Sequence, residues 1–176
     1  MSGGNTKRER PGSYRGIELL PVHLYVLAHL KRAGVDYARM MAKMSELPLP
    51  TIETAIKDLM DVGLIERDSG SAVKRSKARF KKAFEVHKHH TYYRLSREGE
   101  LFVRSIDREW LEIYFESLFP GGWNAVKVLK SAGSFNELPK GLRHDEVRDE
   151  LLLHRFITPN GRKTRFFRLL MEFLRV

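Results

Sequence analysis

The chain has 176 residues, of which 42% are hydrophobic, so it can bury one core or two small ones, and wholesale disorder is excluded. It contains no cysteine, which excludes disulfides and thiolate chemistry, and no run of 18 apolar residues, which excludes a transmembrane helix. The net charge of +10 favours a polyanionic partner, most often nucleic acid, with an anionic membrane as the alternative.

The N-terminal part is predicted to contain a basic arm and two helices. Residues 1–16 are rich in Gly, Ser, Asn and charges, which predicts a disordered arm that either contacts phosphates or is only solvated. Residues 19–33 carry leucines at helical spacing before Gly34, which predicts the first helix. Asp36 is predicted to cap a second helix over residues 37–47. We interpret its three methionines as core packing: Met40, Met41 and Met44.

A third helix and a strand are predicted next. The helix has an apolar face formed by Ile52, Ala55, Ile56 and Leu59. Gly63 supplies the left-handed residue that ends the helix, and the strand begins at Leu64 and Ile65. The polar face consists of Thr51, Glu53, Thr54, Lys57 and Asp58. Such a face is either merely solvated or a binding surface. If it binds DNA, the candidate base-reading residues are Thr51, Thr54 and Lys57.

The most basic stretch follows this strand, and we call residues 74–88 the basic wing. Its cations are Lys74, Arg75, Lys77, Arg79, Lys81, Lys82 and Lys88, against the single acid Glu85. Residues 91–95 predict the returning strand, because β-branched and aromatic residues follow one another there. Ser96 is predicted to cap the next helix. The seven cations are therefore candidate contacts to DNA phosphates.

A long helix is predicted over residues 97–119, with a possible break near Asp107. It carries more large apolar side chains than one helix face needs, so they must bury against a second lobe or a second subunit. The sequence Pro120-Gly121-Gly122 then breaks the chain, which predicts a lobe boundary there.

The remaining residues predict a smaller copy of the same order. A helix over residues 123–132 is followed by a capping-box sequence over residues 134–137, which opens a very short helix that stops at Pro139. A helix over residues 142–154 and a hairpin over residues 156–169 that turns at Asn160-Gly161 come next. Candidate DNA-binding residues on this third helix are Arg143, His144 and Arg148, and those on the hairpin are Arg162, Lys163 and Arg165. The predicted fold class is mainly α with small β-hairpin wings, an α+β arrangement.

No enzyme motif is found: the sequence lacks a Walker loop, Gly-x-Gly-x-x-Gly, Gly-x-Ser-x-Gly and His-Glu-x-x-His. His87 and His89 would share one face of a strand and could bind a metal, but with Lys88 between them we interpret them as part of a basic, aromatic surface. We interpret His23 as a core-edge residue and His29 as a surface residue. No catalysis, cofactor or metal is therefore expected.

Residues 47–68, together with the motif Tyr-x-Leu-Ser-x-x-Gly at Tyr93 to Gly99, resemble winged-helix proteins of the MarR, ArsR and PadR type. The resemblance implies that the third helix faces the DNA major groove and that the helix after the wing builds a dimer. The chain is also similar to small uncharacterised archaeal winged-helix proteins. It departs from the usual regulators in its long basic wing and its second copy.

These patterns predict a winged helix-turn-helix in two tandem copies. The expected parts are a disordered arm (residues 1–16), a winged-helix domain (17–106), a linking or dimerisation helix (107–119) and a smaller second domain (120–176). The expected function is double-stranded DNA binding by a homodimeric transcriptional regulator in the cytoplasm, at the nucleoid and away from membranes. The alternative is a winged-helix adaptor that binds protein, which the acids Glu53 and Asp58 favour.

Overall fold

The computed structural model describes residues 12–69 and 90–176. The first range contains β1 (Ser13–Tyr14), β2 (Ile17–Glu18), α1 (Pro21–Ala33), β3 (Val35–Tyr37), α2 (Ala38–Ser45), α3 (Leu49–Asp61) and β4 (Ile65–Arg67). The second contains β5 (Tyr92–Leu95), α4 (Arg97–Ser105), α5 (Arg108–Leu118), α6 (Gly122–Ser131), a single 3-10 turn (Phe135–Glu137), α7 (Asp145–Leu153) and α8 (Arg165–Leu174). The predicted class, mainly helical with small antiparallel sheets, is confirmed. None of the helices in these ranges is long and apolar enough to cross a membrane.

The first half is built around α1 and a three-stranded antiparallel sheet. The sheet has the order β3-β5-β4, so β5 is the central strand; Val35 pairs with Arg94, and Ile65 pairs with Leu95. The predicted apolar face of α3 is confirmed, since all four of its members are buried against the core. Gly63 has a φ of 80° and ends that helix as predicted.

Ser96 and a nearby glycine explain how α4 joins the sheet. Ser96 accepts the Gly99 backbone N–H at 3.0 Å, which confirms the predicted cap. Gly99 then lies so close to β4 that an added Cβ would come within 1.9 Å of the Leu64 carbonyl oxygen. Glycine is therefore required at this position by the close approach of two backbones.

Residues 12–16 and Asp36 differ from their predictions, whereas residues 1–11 of the predicted arm lie outside the described residues. Residues 12–16 belong to the β1–β2 hairpin, which is held because Tyr14 packs edge-on against Phe102 at 5.1 Å. Asp36 does not cap α2, because β3 comes between α1 and α2 and places this residue in the sheet. Its carboxylate accepts a hydrogen bond from His29 Nε2 at 2.8 Å instead.

A buried polar chain therefore runs from β3 into α1. His29 is 3% exposed, so its predicted surface position is wrong, and its Nδ1 lies 3.1 Å from the Tyr25 hydroxyl. Burial, with Asp36 nearby, raises the pKa of the Tyr25 phenol. The three side chains satisfy one another inside the core, as buried polar groups must.

One core joins the two halves. The predicted break at Asp107 is confirmed, since its carboxylate caps α5 by accepting the Trp110 N–H at 2.8 Å. Tyr114 and Phe115 of α5 are fully buried within the chain, and α8 packs against α1 and α2. The apolar side chains of residues 97–119 thus pack against both halves of the same chain: Phe102 contacts Tyr14, and Phe115 contacts Trp123 and Phe156.

Two predictions for the second half are wrong. Residues 165–169 are the start of α8 and not a strand, because Thr164 caps a helix by accepting the Phe167 N–H at 3.1 Å. The buried residues of that segment recur at helical spacing: Phe166, Phe167, Leu170 and Met171. Residues 134–137 form no capping box, since the Glu137 carboxylate accepts from the Gly133 N–H at 2.8 Å while Ser134 pairs with Arg162.

The backbone connections after α3 recur after α7. Leu64 donates its N–H to the residue five places earlier at 2.9 Å, and its carbonyl accepts from Ser96 at 3.0 Å. Phe156 makes the same two bonds, at 2.8 Å to the residue five places earlier and at 3.0 Å from Thr164. The bridges Ser134–Arg162 and Ile157–Lys163 place residues 162–163 between residues 134 and 157. In the first half, β5 lies between β3 and β4 in the same way.

Candidate nucleic-acid interface

The exposed face of α3 contains the three candidate residues predicted there, but it carries little net charge. Thr54 and Lys57 are exposed and Thr51 is half-buried, and their spacing of three places them on one side of the helix. The ammonium of Lys57 lies 3.4 Å from the carboxylate of Asp61, and Glu53 is also exposed on this helix. This face alone therefore supplies few cations for phosphates.

Asp58, a member of the predicted polar face, has a side chain that is 38% exposed and bonds a buried histidine. Buried His23 accepts the Leu20 backbone N–H at Nδ1, at 2.8 Å. Its proton is therefore on Nε2, which donates to the Asp58 carboxylate at 2.9 Å. The bond ties α3 to α1 and engages one of the acids of the polar face.

The strands on either side of the basic wing are neighbours in the sheet. Arg67 at the end of β4 pairs with Tyr93 of β5, and the Asp68 N–H donates to the Tyr92 carbonyl at 2.8 Å. The described chain therefore stops after β4 and resumes before β5 at the same end of this strand pair. The guanidinium of Arg94 lies 2.9 Å from Glu66 and 3.4 Å from Asp68, so this cation is used within the sheet.

The basic wing itself lies outside the described residues, as do its seven candidate cations and the two histidines weighed as metal ligands, His87 and His89. The ring of His90 stacks on Tyr37 with centroids 4.4 Å apart, next to Tyr92. Across residues 12–69 and 90–176, no group of three or more His, Asp or Glu side chains could hold a metal ion.

The cations predicted on the third helix of the second half lie around the turn at residues 158–161. Arg143 donates to the Asn136 carbonyl at 3.2 Å, and Arg148 donates to the Pro159 carbonyl at 2.6 Å. His144 is exposed and comes directly before α7. Arg148 therefore bonds the turn at residues 158–161 and Arg143 bonds the 3-10 turn, and only their remaining donors are open to a ligand.

The three cations predicted on the second hairpin are brought together, but at a different place. Arg165 lies in α8 and donates its Nε–H to the Met44 carbonyl at 2.6 Å, which connects the two halves. Lys163 donates to the Lys130 carbonyl at 3.0 Å, and burial together with Arg168 lowers the pKa of the Lys163 ammonium. With exposed Arg162, they line one groove between the halves.

Arg155 was not among the predicted site residues, but it lines the same groove and has a φ of 59°. Arginine near a helix end is common and gives no signal of a site. A hint was available in its position two residues after the end of α7 and directly before the buried pair Phe156-Ile157. That position corresponds to Gly63 after α3.

Comparison with known proteins identifies one family. Residues 14–106, more than half of the chain, match the model of a family described as "Uncharacterized protein conserved in archaea" (DUF2250). The match ends at the end of α4, so it covers the three-stranded sheet and not α5 to α8. The comparisons with curated proteins and with solved structures gave no match. The chain belongs to this archaeal family.

Proposed function

We propose that this chain, as a member of that archaeal family, is a tandem winged-helix protein that binds double-stranded DNA and regulates transcription at the nucleoid. The order of α1, β3, α2, α3, β4 and β5 supports the first winged helix, because a strand lies between the first two helices and a hairpin follows the third. The backbone bonds that follow α3 recur after α7, which supports the second winged helix.

The observation that carries the proposal is the pairing of the two strands that flank the basic wing in sequence. Arg67 of β4 pairs with Tyr93 of β5, so these strands are neighbours in the sheet, as the strands of a wing are. The basic wing's excess of six positive charges is more than half of the net charge of +10. Lysine and arginine bind phosphates through charge and counterion release, so this segment supplies most of the affinity.

Base recognition by α3 is the weaker part of the proposal. Thr51, Thr54 and Lys57 can donate to base edges, but the nearby carboxylates of Glu53 and Asp61 repel phosphates. The proposed binding is therefore strong in phosphate contacts and limited in sequence preference. In this proposal a homodimer contact uses Leu101 and Ile113, which stay 57% and 46% exposed.

The test is a titration of duplex DNA at several salt concentrations. A wing that contacts about five to eight phosphates gives a log–log salt slope of roughly −4.5 to −7. Charge reversal of Lys81 and Lys82 to Glu is expected to reduce the slope by about 2, because each lost phosphate contact removes about 0.9. The control reverses two exposed cations of α4, Arg97 and Arg104, and so changes the net charge by the same amount. Equal losses in both variants would refute the wing contact.

The adaptor alternative is favoured by one observation, the exposed acids Glu53 and Asp61 on α3. Asp58, the second acid that favours this alternative in the sequence, is already bonded to His23. A salt slope near zero with micromolar or weaker DNA binding would favour this alternative over the DNA proposal.

A further inference from the structure

The groove between the two halves has a volume of about 600 Å³ and is fully contained in the described part of the chain. Its walls come from three segments: the turn at residues 45–47 between α2 and α3, residues 152–159 from the end of α7, and residues 162–166 at the start of α8. The bond from Arg165 to the Met44 carbonyl crosses between the halves here. The groove is thus a product of the tertiary fold, since its walls are far apart in sequence.

Four cations line this groove against a single acid. The cations are Arg155, Arg162, Lys163 and Arg165, and the acid is Glu46. Within residues 12–69 and 90–176, Glu46 makes no ion pair with any of the four. Four positive charges in one concave site, with one carboxylate that none of them binds, produce a strongly positive potential.

The donors of these cations are largely available. In the described part of the chain, the side chains of Arg155 and Arg162 make no hydrogen bond or ion pair, and both residues are exposed. Arg165 uses only its Nε–H, which leaves the two terminal nitrogens of the guanidinium free to donate. Lys163 uses one of its three N–H donors. The groove therefore presents several charged donors and one carboxylate.

We propose that this groove binds a phosphate-bearing ligand. Guanidinium groups match phosphate oxygens with paired N–H donors, and lysine adds a compact charge beside them. Leu153, 72% exposed at the rim, offers an apolar contact to the organic part of such a ligand. The site does not require the basic wing or α3, so it stands independently of the DNA-binding proposal.

The experiment is a calorimetric titration of the full chain with inorganic pyrophosphate at constant ionic strength. The native protein is expected to bind, and the double variant Arg155→Gln, Arg162→Gln is expected to bind about tenfold more weakly or worse, because two charged donors are lost. Neither side chain has a bonded partner in the described structure, so the variant should fold normally. The control variant Arg97→Gln, Arg104→Gln removes the same charge from α4 and should retain native affinity.

Absence of pyrophosphate binding in the native protein would overturn the proposal, as would an equal loss in both double variants. A second arm identifies the source of the phosphate. If pyrophosphate displaces a DNA duplex from the native protein but not from the Arg155, Arg162 variant, the groove holds the DNA backbone. If pyrophosphate binds and displaces no duplex, the ligand is a free phosphorylated molecule. A protein that binds pyrophosphate but no DNA would contradict the DNA-binding proposal and leave the groove proposal intact.

Discussion

Replacing Phe166 with alanine is expected to destabilise both halves of the protein in a single unfolding transition. Phe166 is the second residue of α8, is 2% exposed and packs at the point where the halves meet. Its ring lies edge-on to Tyr25 of α1, with centroids 5.7 Å apart, and 6.1 Å from the ring of Phe156. The alanine variant therefore loses contacts with the first half and with the second half together.

The magnitude follows from the burial of this ring. Replacing a fully buried phenylalanine with alanine costs about 3–5 kcal/mol, which combines the lost transfer free energy with the cavity left behind. For a chain of 176 residues, each kcal/mol lowers the melting temperature by roughly 2–4 °C, so we expect a decrease of about 6–20 °C. The matched control is Leu153→Ala, because that side chain is 72% exposed and its loss should change stability by less than about 0.5 kcal/mol.

The assay is urea and thermal unfolding, followed by far-UV circular dichroism and by tryptophan fluorescence. Trp110 and Trp123 lie in α5 and α6, so fluorescence reports on that region while circular dichroism reports on the whole chain. Both signals should change together at the lowered midpoint. Two separate transitions, with one midpoint as in the native protein, would refute the inference of a shared core.

Three further predictions concern single sites. Gly99→Ala should lower stability by about 1–3 kcal/mol in urea unfolding, because the new Cβ would meet a backbone carbonyl oxygen at 1.9 Å, whereas Gly141→Ala, with open space around it, should not. Asp58→Ala should lower the free energy of unfolding by about 1–3 kcal/mol, because it leaves the buried His23 Nε2–H without its acceptor. Asp58→Asn keeps an acceptor oxygen and should cost clearly less. Equal losses in the two variants would show that the bond is unimportant. Burial lowers the pKa of His154, so the unfolded chain binds a proton more readily than the folded chain, and stability falls as the pH drops below about 6.5. His154→Phe should therefore reduce the difference in urea midpoint between pH 7.5 and pH 5. An unchanged difference would contradict this.

Local patterns in the sequence predicted most helices and the central strand correctly. Helical spacing of buried residues located α1 and α3, Gly63 marked the end of α3, and Ser96 marked the start of α4. These features depend on residues only a few positions apart, which is why sequence reasoning captures them. Asp107 was likewise recognisable as a break because it precedes a new helical turn that it caps.

The errors arose where tertiary contacts decide the structure. Asp36 has the composition of a helix cap, but its partner, His29, is set by the packing of β3 on α1. Residues 165–169 combine aromatic and β-favouring residues, yet α8 forms because its apolar face packs on α1 and α2. For the site, the sequence singled out Arg162, Lys163 and Arg165 but could not indicate that they share a groove with Arg155.

The backbone of Arg155 implies a trade-off between stability and binding at a single position. A non-glycine residue at a φ of 59° is strained by about 1 kcal/mol relative to glycine, and Gly63 occupies the corresponding position after α3 without that strain. Arg155→Gly should therefore make the fold more stable while it removes one of the four cations of the groove. A selection for thermal stability alone would favour glycine at position 155, whereas a selection for ligand affinity would favour arginine.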